Sequence, residues 1–275
     1  MAAVTEPGYA YPPPAGPKRR WWTWAVVAGW AVVLTGAVFW SVRNDPPTVP
    51  EQRDIGQALP ALGRAAGTVV EAVQDERWVL RIGELQVTDC AITPVRDGRE
   101  AVRTVTLYVA EGEAREALAG VAAGLPASYQ AGVTGARGGT RLSFFADAGD
   151  YIAIEGEAHS SDQVLTLTLS TGCRPPADDR EQADPPPGAV PGQVRELGGT
   201  VRGAVACPGG GTATTFQGDG GPADPDGGPQ GVPAGTEPVW SEPGGWAYRA
   251  GSESVVTTAD GGRLRISVTT GCRAV

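Results

Sequence analysis

Histidine and lysine are almost missing from this chain: His159 is its one histidine and Lys18 its one lysine. A single histidine cannot build a histidine-based metal centre. The four cysteines do not replace it, because no two of them stand close in sequence. The same spacing excludes a Cys-x-x-Cys redox pair. No basic cluster follows residue 43, so nothing is placed to neutralise a run of phosphates, which argues against nucleic acid as a partner. The glycine run Pro208-Gly209-Gly210-Gly211 has no Lys-Ser/Thr after it and reads as a flexible turn rather than a phosphate loop. No cofactor is expected.

Charge is also missing, and for longer, from Trp21 to Val42. As a helix this stretch would span about 33 Å, enough for the hydrocarbon core of a bilayer. Trp21, Trp22 and Trp24 stand at one end, Phe39 and Trp40 at the other, as amphipathic rings do at the two interfaces. Lys18, Arg19 and Arg20 precede it and only Arg43 follows closely, a bias that puts the N-terminus in the cytoplasm. No small-x-small cleavage site precedes Arg43 and no cysteine stands near the end of the stretch to carry a lipid. The expectation is therefore an uncleaved signal anchor holding residues 21–42 in the bilayer, with the bulk of the chain extracytoplasmic. Residues 1–20 form a Pro-rich cytoplasmic tail and residues 43–53, with Pro46, Pro47 and Pro50, an extended linker.

The chain carries −9 and residues 1–20 carry +2, so everything from Arg43 onward carries −11. The dominance of Arg over Lys, with abundant Ala, Gly, Val and Pro, resembles a high-GC bacterial coding sequence in composition. After the linker, Ile55, Leu59, Leu62, Ala66, Val69 and Val73 recur at helical spacing. Asp54 and Gln57 suit a cap, while Pro60 suggests that the regular helix starts there. From Arg77 the period drops to two. Strand-like runs pass through Trp78–Ile82, Leu85–Cys90 and Val105–Val109, with a turn expected at Asp97-Gly98. A second helix fits Glu113–Ala123, stopped by Gly124 and Pro126. Four more strands are expected over Tyr129–Thr134, Arg141–Phe145, Tyr151–Glu157 and Gln163–Thr171. Residues 54–174 thus read as an α+β module, an antiparallel sheet with helices on one face. Residues 175–199 read as a Pro-rich linker, and residues 200–275 as a smaller, mostly β module with a Gly/Pro/Asp loop over Gly218–Gly235.

Ser170-Thr171-Gly172-Cys173-Arg174 returns as Thr269-Thr270-Gly271-Cys272-Arg273, each closing a strand-like run that follows a turn. Each copy has one cysteine upstream, Cys90 or Cys207. The small module is therefore expected to repeat the larger one. Disulfides Cys90–Cys173 and Cys207–Cys272 would each contribute on the order of 4 kcal/mol by closing long loops in an oxidising compartment.

Catalytic candidates are sparse. His159 stands beside Ser160, Ser161 and Asp162 in a polar stretch, but triad members meet in space rather than along a turn. Asp147, Asp150, Glu155 and Glu157 are the densest carboxylates and could serve a membrane-anchored envelope hydrolase if two of them shared a cleft. Trp240, Trp246 and Tyr248 are candidate ligand or partner contacts, or else the core of a module short of large side chains. The sequence points to a non-enzymatic binding or cell-envelope interaction protein, with an envelope protein or glycan as partner. The anchored hydrolase is the alternative.

Overall fold

The computed structural model describes residues 21–44, 53–73, 77–177, 184–223, 232–233 and 235–272. The tail 1–20 and most of the linker at 43–53 lie outside these residues. The chain divides into a first unit, Met1–Pro47, and a compact second unit, Thr48–Val275.

In the first unit, helix α1 (Trp21–Asn44) is apolar on every side and none of its apolar window is buried against protein. It is long and apolar enough to cross a membrane, a description that a signal sequence also meets. Thr35, near its middle, is satisfied locally: its hydroxyl donates to the Ala31 carbonyl at 2.7 Å.

The second unit opens with α2 (Ile55–Ala72). Asp54 caps it, its Oδ1 accepting the Gln57 N–H at 2.8 Å, so the helix begins ahead of Pro60 rather than at it. Pro60 lies in the second turn and removes a single backbone donor there. The expected stripe Ile55, Leu59, Leu62, Ala66, Val69 and Val73 is buried throughout.

Seven antiparallel strands form the first sheet: β1 (Val79–Ile82), β2 (Gln86–Thr93), β3 (Arg96–Tyr108), β4 (Gly132–Ala136), β5 (Arg141–Asp147), β6 (Ala153–His159) and β7 (Val164–Ser170). Their order is β1-β3-β7-β6-β5-β4, and β2 pairs with the N-terminal half of the long β3. Helix α3 (Ala114–Gly124) connects β3 to β4 and lies with α2 on one face. That face carries Val105, Leu107, Leu142, Phe144, Ile154, Leu165, Leu167 and Leu169, which pack against Leu62, Ala66, Val69, Leu118 and Val121. The alternate positions, among them Glu155, Glu157 and Thr166, face solvent, the pattern of a sheet wet on one side.

Two details of this sheet differ from what the sequence suggests. The β2–β3 hairpin turns at Pro94-Val95, and Asp97-Gly98 lie inside β3. Gly98 serves close approach instead: a Cβ there would meet the Arg174 carbonyl oxygen and the Cys173 sulfur, both at 2.7 Å. Tyr129 ends a short 3-10 turn, and β4 begins only at Gly132.

The second sheet holds β8 (Thr200–Ala206), β9 (Thr212–Pro222), β10 (Trp240–Glu242), β11 (Gly245–Ala250), β12 (Glu253–Asp260) and β13 (Arg263–Thr269), all antiparallel in the order β10-β11-β12-β13-β9-β8. Strand β9 extends to Pro222, into the expected Gly218–Gly235 loop; residues 224–231 and 234 lie outside the described ones. The stretch 175–199 carries a short helix, α4 (Gly192–Glu196), whose Val194 enters a core with Phe216, Trp246, Tyr248, Val255, Leu264 and Val268.

The two sheets touch, and β1 is where they meet. One edge of β1 pairs with β3; from the other, Leu80 N–H donates to Ser254 Oγ at 3.1 Å and Ile82 N–H to Thr215 Oγ1 at 2.9 Å. Hydroxyls of the second sheet thus satisfy amides that an open edge would leave bare. Helix α2 is shared too, because Val205, Cys207 and Ala213 of the second sheet belong to its core.

Candidate functional site

The four cysteines pair as the returning Thr-Gly-Cys-Arg motif suggests. Cys90 joins Cys173 with 6.0 Å between Cα atoms, and Cys207 joins Cys272 with 5.4 Å. The residue after the first bridge carries more than the sequence disclosed. Arg174 is fully buried, its Nε donating to the Thr171 carbonyl at 2.7 Å and Nη2 to the Asp150 and Tyr151 carbonyls at 2.9 and 3.3 Å. Asp150 and Tyr151 have φ of 54° and 60°, a left-handed conformation that costs a non-glycine residue on the order of 1 kcal/mol or more. The guanidinium bonds hold that strained pair. Burial lowers the Arg174 pKa, the Arg53 charge lowers it further, and Asp150 and Tyr151 oppose the shift. The one signal in sequence was that an arginine follows the last cysteine of each copy; Arg273 lies outside the described residues.

The carboxylates do not converge. Asp147 accepts the Gly149 N–H at 2.9 Å in a local turn, Asp150 pairs with Arg53, and Glu157 pairs with Arg141 across the exposed face. Glu155 is exposed on that same face. His159 ends β6 in solvent, its backbone N–H donating to Asp162 Oδ2 at 2.7 Å.

The aromatic candidates are all buried, which removes them as a solvent-facing contact patch. Trp246 and Tyr248 fill the outer core of the second sheet, where burial raises the Tyr248 pKa. Trp240 packs against Tyr108 at 5.0 Å between ring centroids, in a cluster with Val79, Ala247 and Val256 that joins the sheets. A β module with few large side chains uses its indoles as core.

Clefts open where the sheets meet. The first, of about 280 Å³, has apolar walls from Leu59, Pro60, Leu62 and Leu85, closed at one end by Arg103 and Asp184. Arg103 is 2% exposed; its Nη1 donates to the Ala204 carbonyl at 2.9 Å and its Nη2 pairs with Asp184. The other oxygen of Asp184 accepts the Ala204 N–H at 2.9 Å. A carboxylate from the stretch 175–199 thus bolts β3 to β8, and it offsets the cost of burying a guanidinium.

The second cleft, of about 250 Å³, is polar. Its lining includes Arg81, Gln86, Thr104, Thr215, Gln217 and Ser267, with Glu84 and Arg202 paired beside them. Arg202 also donates through Nε to Gln217 Oε1. Arg81 is half-buried and makes no hydrogen bond or ion pair among the described residues. Its charge works against the burial that raises the Tyr108 pKa. Among the described residues no group of three or more His, Cys, Asp or Glu side chains is arranged to hold a metal ion.

No family model matches the chain, and no curated protein matches it. Among solved structures it is similar to a DUF4853 family protein from Actinomyces odontolyticus ATCC 17982, at 14% identity and a TM-score of 0.32, over 61% of this chain and 94% of that one. A likeness at that level carries nothing on role.

Proposed function

We propose that the protein is a single-pass, N-in membrane anchor that presents a disulfide-closed, non-enzymatic binding body to the cell envelope. The observation that carries this reading is the pairing of a wholly unburied apolar helix with a body in which every cysteine is bridged. An unburied apolar helix is unfavourable in water, and structural disulfides persist in oxidising compartments. The positive charge of Lys18, Arg19 and Arg20 ahead of the helix sets the direction. The hydrolase alternative draws no support from carboxylates that are exposed and partly committed to arginines.

The body is, on this reading, two copies of one folding unit. Support comes from strand order: β2-β3-β7-β6-β5-β4 in the first sheet runs parallel to β8-β9-β13-β12-β11-β10 in the second, rank for rank along the chain. Each bridge ties a cysteine in or just after the first strand of that series to one three residues past the last. The segment between the second and third strands of the series holds α3 in the first sheet and corresponds by position to residues 223–239 in the second, of which 224–231 and 234 lie outside the described residues.

The test is accessibility in spheroplasts expressing the full chain with an N-terminal epitope. Added protease should digest the body and leave a tagged fragment containing residues 1–44. A body that resists in spheroplasts but is digested in inverted vesicles would reverse the orientation, and a mature protein starting beyond residue 42 would replace the anchor by a cleaved signal.

A further inference from the structure

We infer that the polar cleft between the sheets is a binding site for a carboxylate-bearing sugar, with Arg81 as its anion anchor. This rests on the binding-protein reading above and gives that reading a ligand class.

Strand β1 supplies the anchor. Residues along a strand alternate between faces. Leu80 and Ile82 enter the core beneath α2, so Val79 and Arg81 face the other way; Val79 does so in the cluster with Trp240, Ala247 and Val256. An apolar side chain would extend that cluster. The chain instead places a guanidinium there, half-buried and without a hydrogen-bond or ion-pair partner among the described residues. A partly desolvated cation with no counter-charge costs free energy that a bound anion recovers, and the planar guanidinium fork matches a carboxylate in two parallel hydrogen bonds.

The surroundings restrict the ligand further. Thr104, Thr215, Ser267, Gln86 and Gln217 line the same cleft as Arg81 with neutral hydroxyl and amide groups, which exchange hydrogen bonds with sugar hydroxyls in either direction, although Gln217 Oε1 already accepts from Arg202. Thr215 is already held, its Oγ1 accepting from Ile82 N–H and bonded to Thr269 Oγ1 at 2.7 Å, so it forms fixed wall. Glu84 is neutralised by Arg202, which leaves the net charge of the cleft positive although the body around it is acidic. Among the described residues no aromatic side chain lines the cleft, so recognition would run through hydrogen bonds and charge rather than ring stacking. At about 250 Å³ it falls just below the range of about 300–1,000 Å³ usual for small-molecule sites, which limits the ligand to one sugar-sized unit.

Saturation-transfer NMR on the full chain in detergent micelles at 150 mM salt tests this, with glucuronate, glucose, acetate and inorganic phosphate as probes. Glucuronate should give ring-proton signals at least about tenfold stronger in affinity than glucose, and acetate or phosphate should compete only at much higher concentration. Arg81→Gln should abolish the glucuronate signal. Ser267→Ala, which keeps the charge, should weaken it about threefold to tenfold, the worth of one hydrogen bond. Both variants should retain the two disulfides and the thermal transition of the parent. No glucuronate binding by the parent, equal binding of glucose, equal competition by acetate or phosphate, or undiminished binding by a folded Arg81→Gln protein would each overturn the assignment. Those failures would leave the anchored binding protein standing; a body found on the cytoplasmic side would remove that reading whatever the cleft binds.

Discussion

Gly67 is the point at which α2 lies closest to the second sheet, and replacing it by alanine isolates that contact. A Cβ at this position would stand 1.9 Å from the Ala206 carbonyl oxygen and 3.0 Å from its carbon. Ordinary contact begins near 3.4 Å, so helix and strand must separate by roughly 1.5 Å. Both partners are backbone, and the Cys207–Cys272 bridge lies alongside, with Cys272 Sγ 4.0 Å from the Gly67 carbonyl. The separation would open the core around Ala66 and Val70, which are fully buried. Overpacking of this kind costs about 1–3 kcal/mol. Because both clashing partners are backbone, the cost lies at the upper end of that range; the better helix propensity of alanine returns up to about 1 kcal/mol, leaving a net loss of about 2 kcal/mol. At about 2–4 °C per kcal/mol for a body of this size, Tm should fall by about 4–8 °C. Gly63, one turn earlier on the same helix, is the control, since nothing lies within 4 Å of a Cβ there. Gly63→Ala should therefore gain about 0.5–1 kcal/mol. Circular dichroism melts of the two variants beside the parent decide the matter. A Gly67→Ala protein at least as stable as the parent would refute the idea that α2 is packed against both sheets at van der Waals limit.

Three further outcomes follow from buried polar groups. Arg174→Met removes the donors to the Thr171, Asp150 and Tyr151 carbonyls and should cost about 2–4 kcal/mol in urea unfolding, with protease sensitivity rising first at residues 148–151. Asp184→Ala leaves the Arg103 guanidinium buried without its counter-charge and should cost about 2–3 kcal/mol, the partial exposure of Asp184 moderating the loss. Burial holds the Glu253 carboxyl above its ordinary value of 4.5, so the folded state binds that proton more tightly than the unfolded state does. Stability then falls as pH rises from 4.5 through the raised value; Glu253→Gln should melt above the parent at pH 7, and the difference should close below pH 4.5.

Periodicity made several elements legible without coordinates. The α2 stripe and the α3 segment carry helical spacing that only a packed face explains, and most strands alternate cleanly enough to be placed within two residues. The cysteine pairing followed from the returning Thr-Gly-Cys-Arg motif. What escaped depends on partners distant in sequence. Gly98 reads locally as a turn residue, yet it is there to let the chain at Cys173–Arg174 approach, 75 residues or more away. Arg103 and Asp184 are 81 residues apart, and Asp184 sits in a stretch whose composition suggests only a linker. Arg81 looked like the polar member of an alternating strand; only the second sheet arriving over β1 turns it into the wall of a cleft. Trp240 was ambiguous for the same reason, because its partner Tyr108 belongs to the other sheet.

Mapping the cysteines of the full-length protein taken from intact cells tests whether the two-sheet body is oxidised and lies outside the membrane. Free thiols are blocked with an alkylating reagent before lysis, and peptides are then identified without reduction. The expected result is complete Cys90–Cys173 and Cys207–Cys272 linkages with no alkylated cysteine. Four alkylated cysteines, or crossed linkages such as Cys90–Cys272, would contradict the compartment in the first case and the fold in the second.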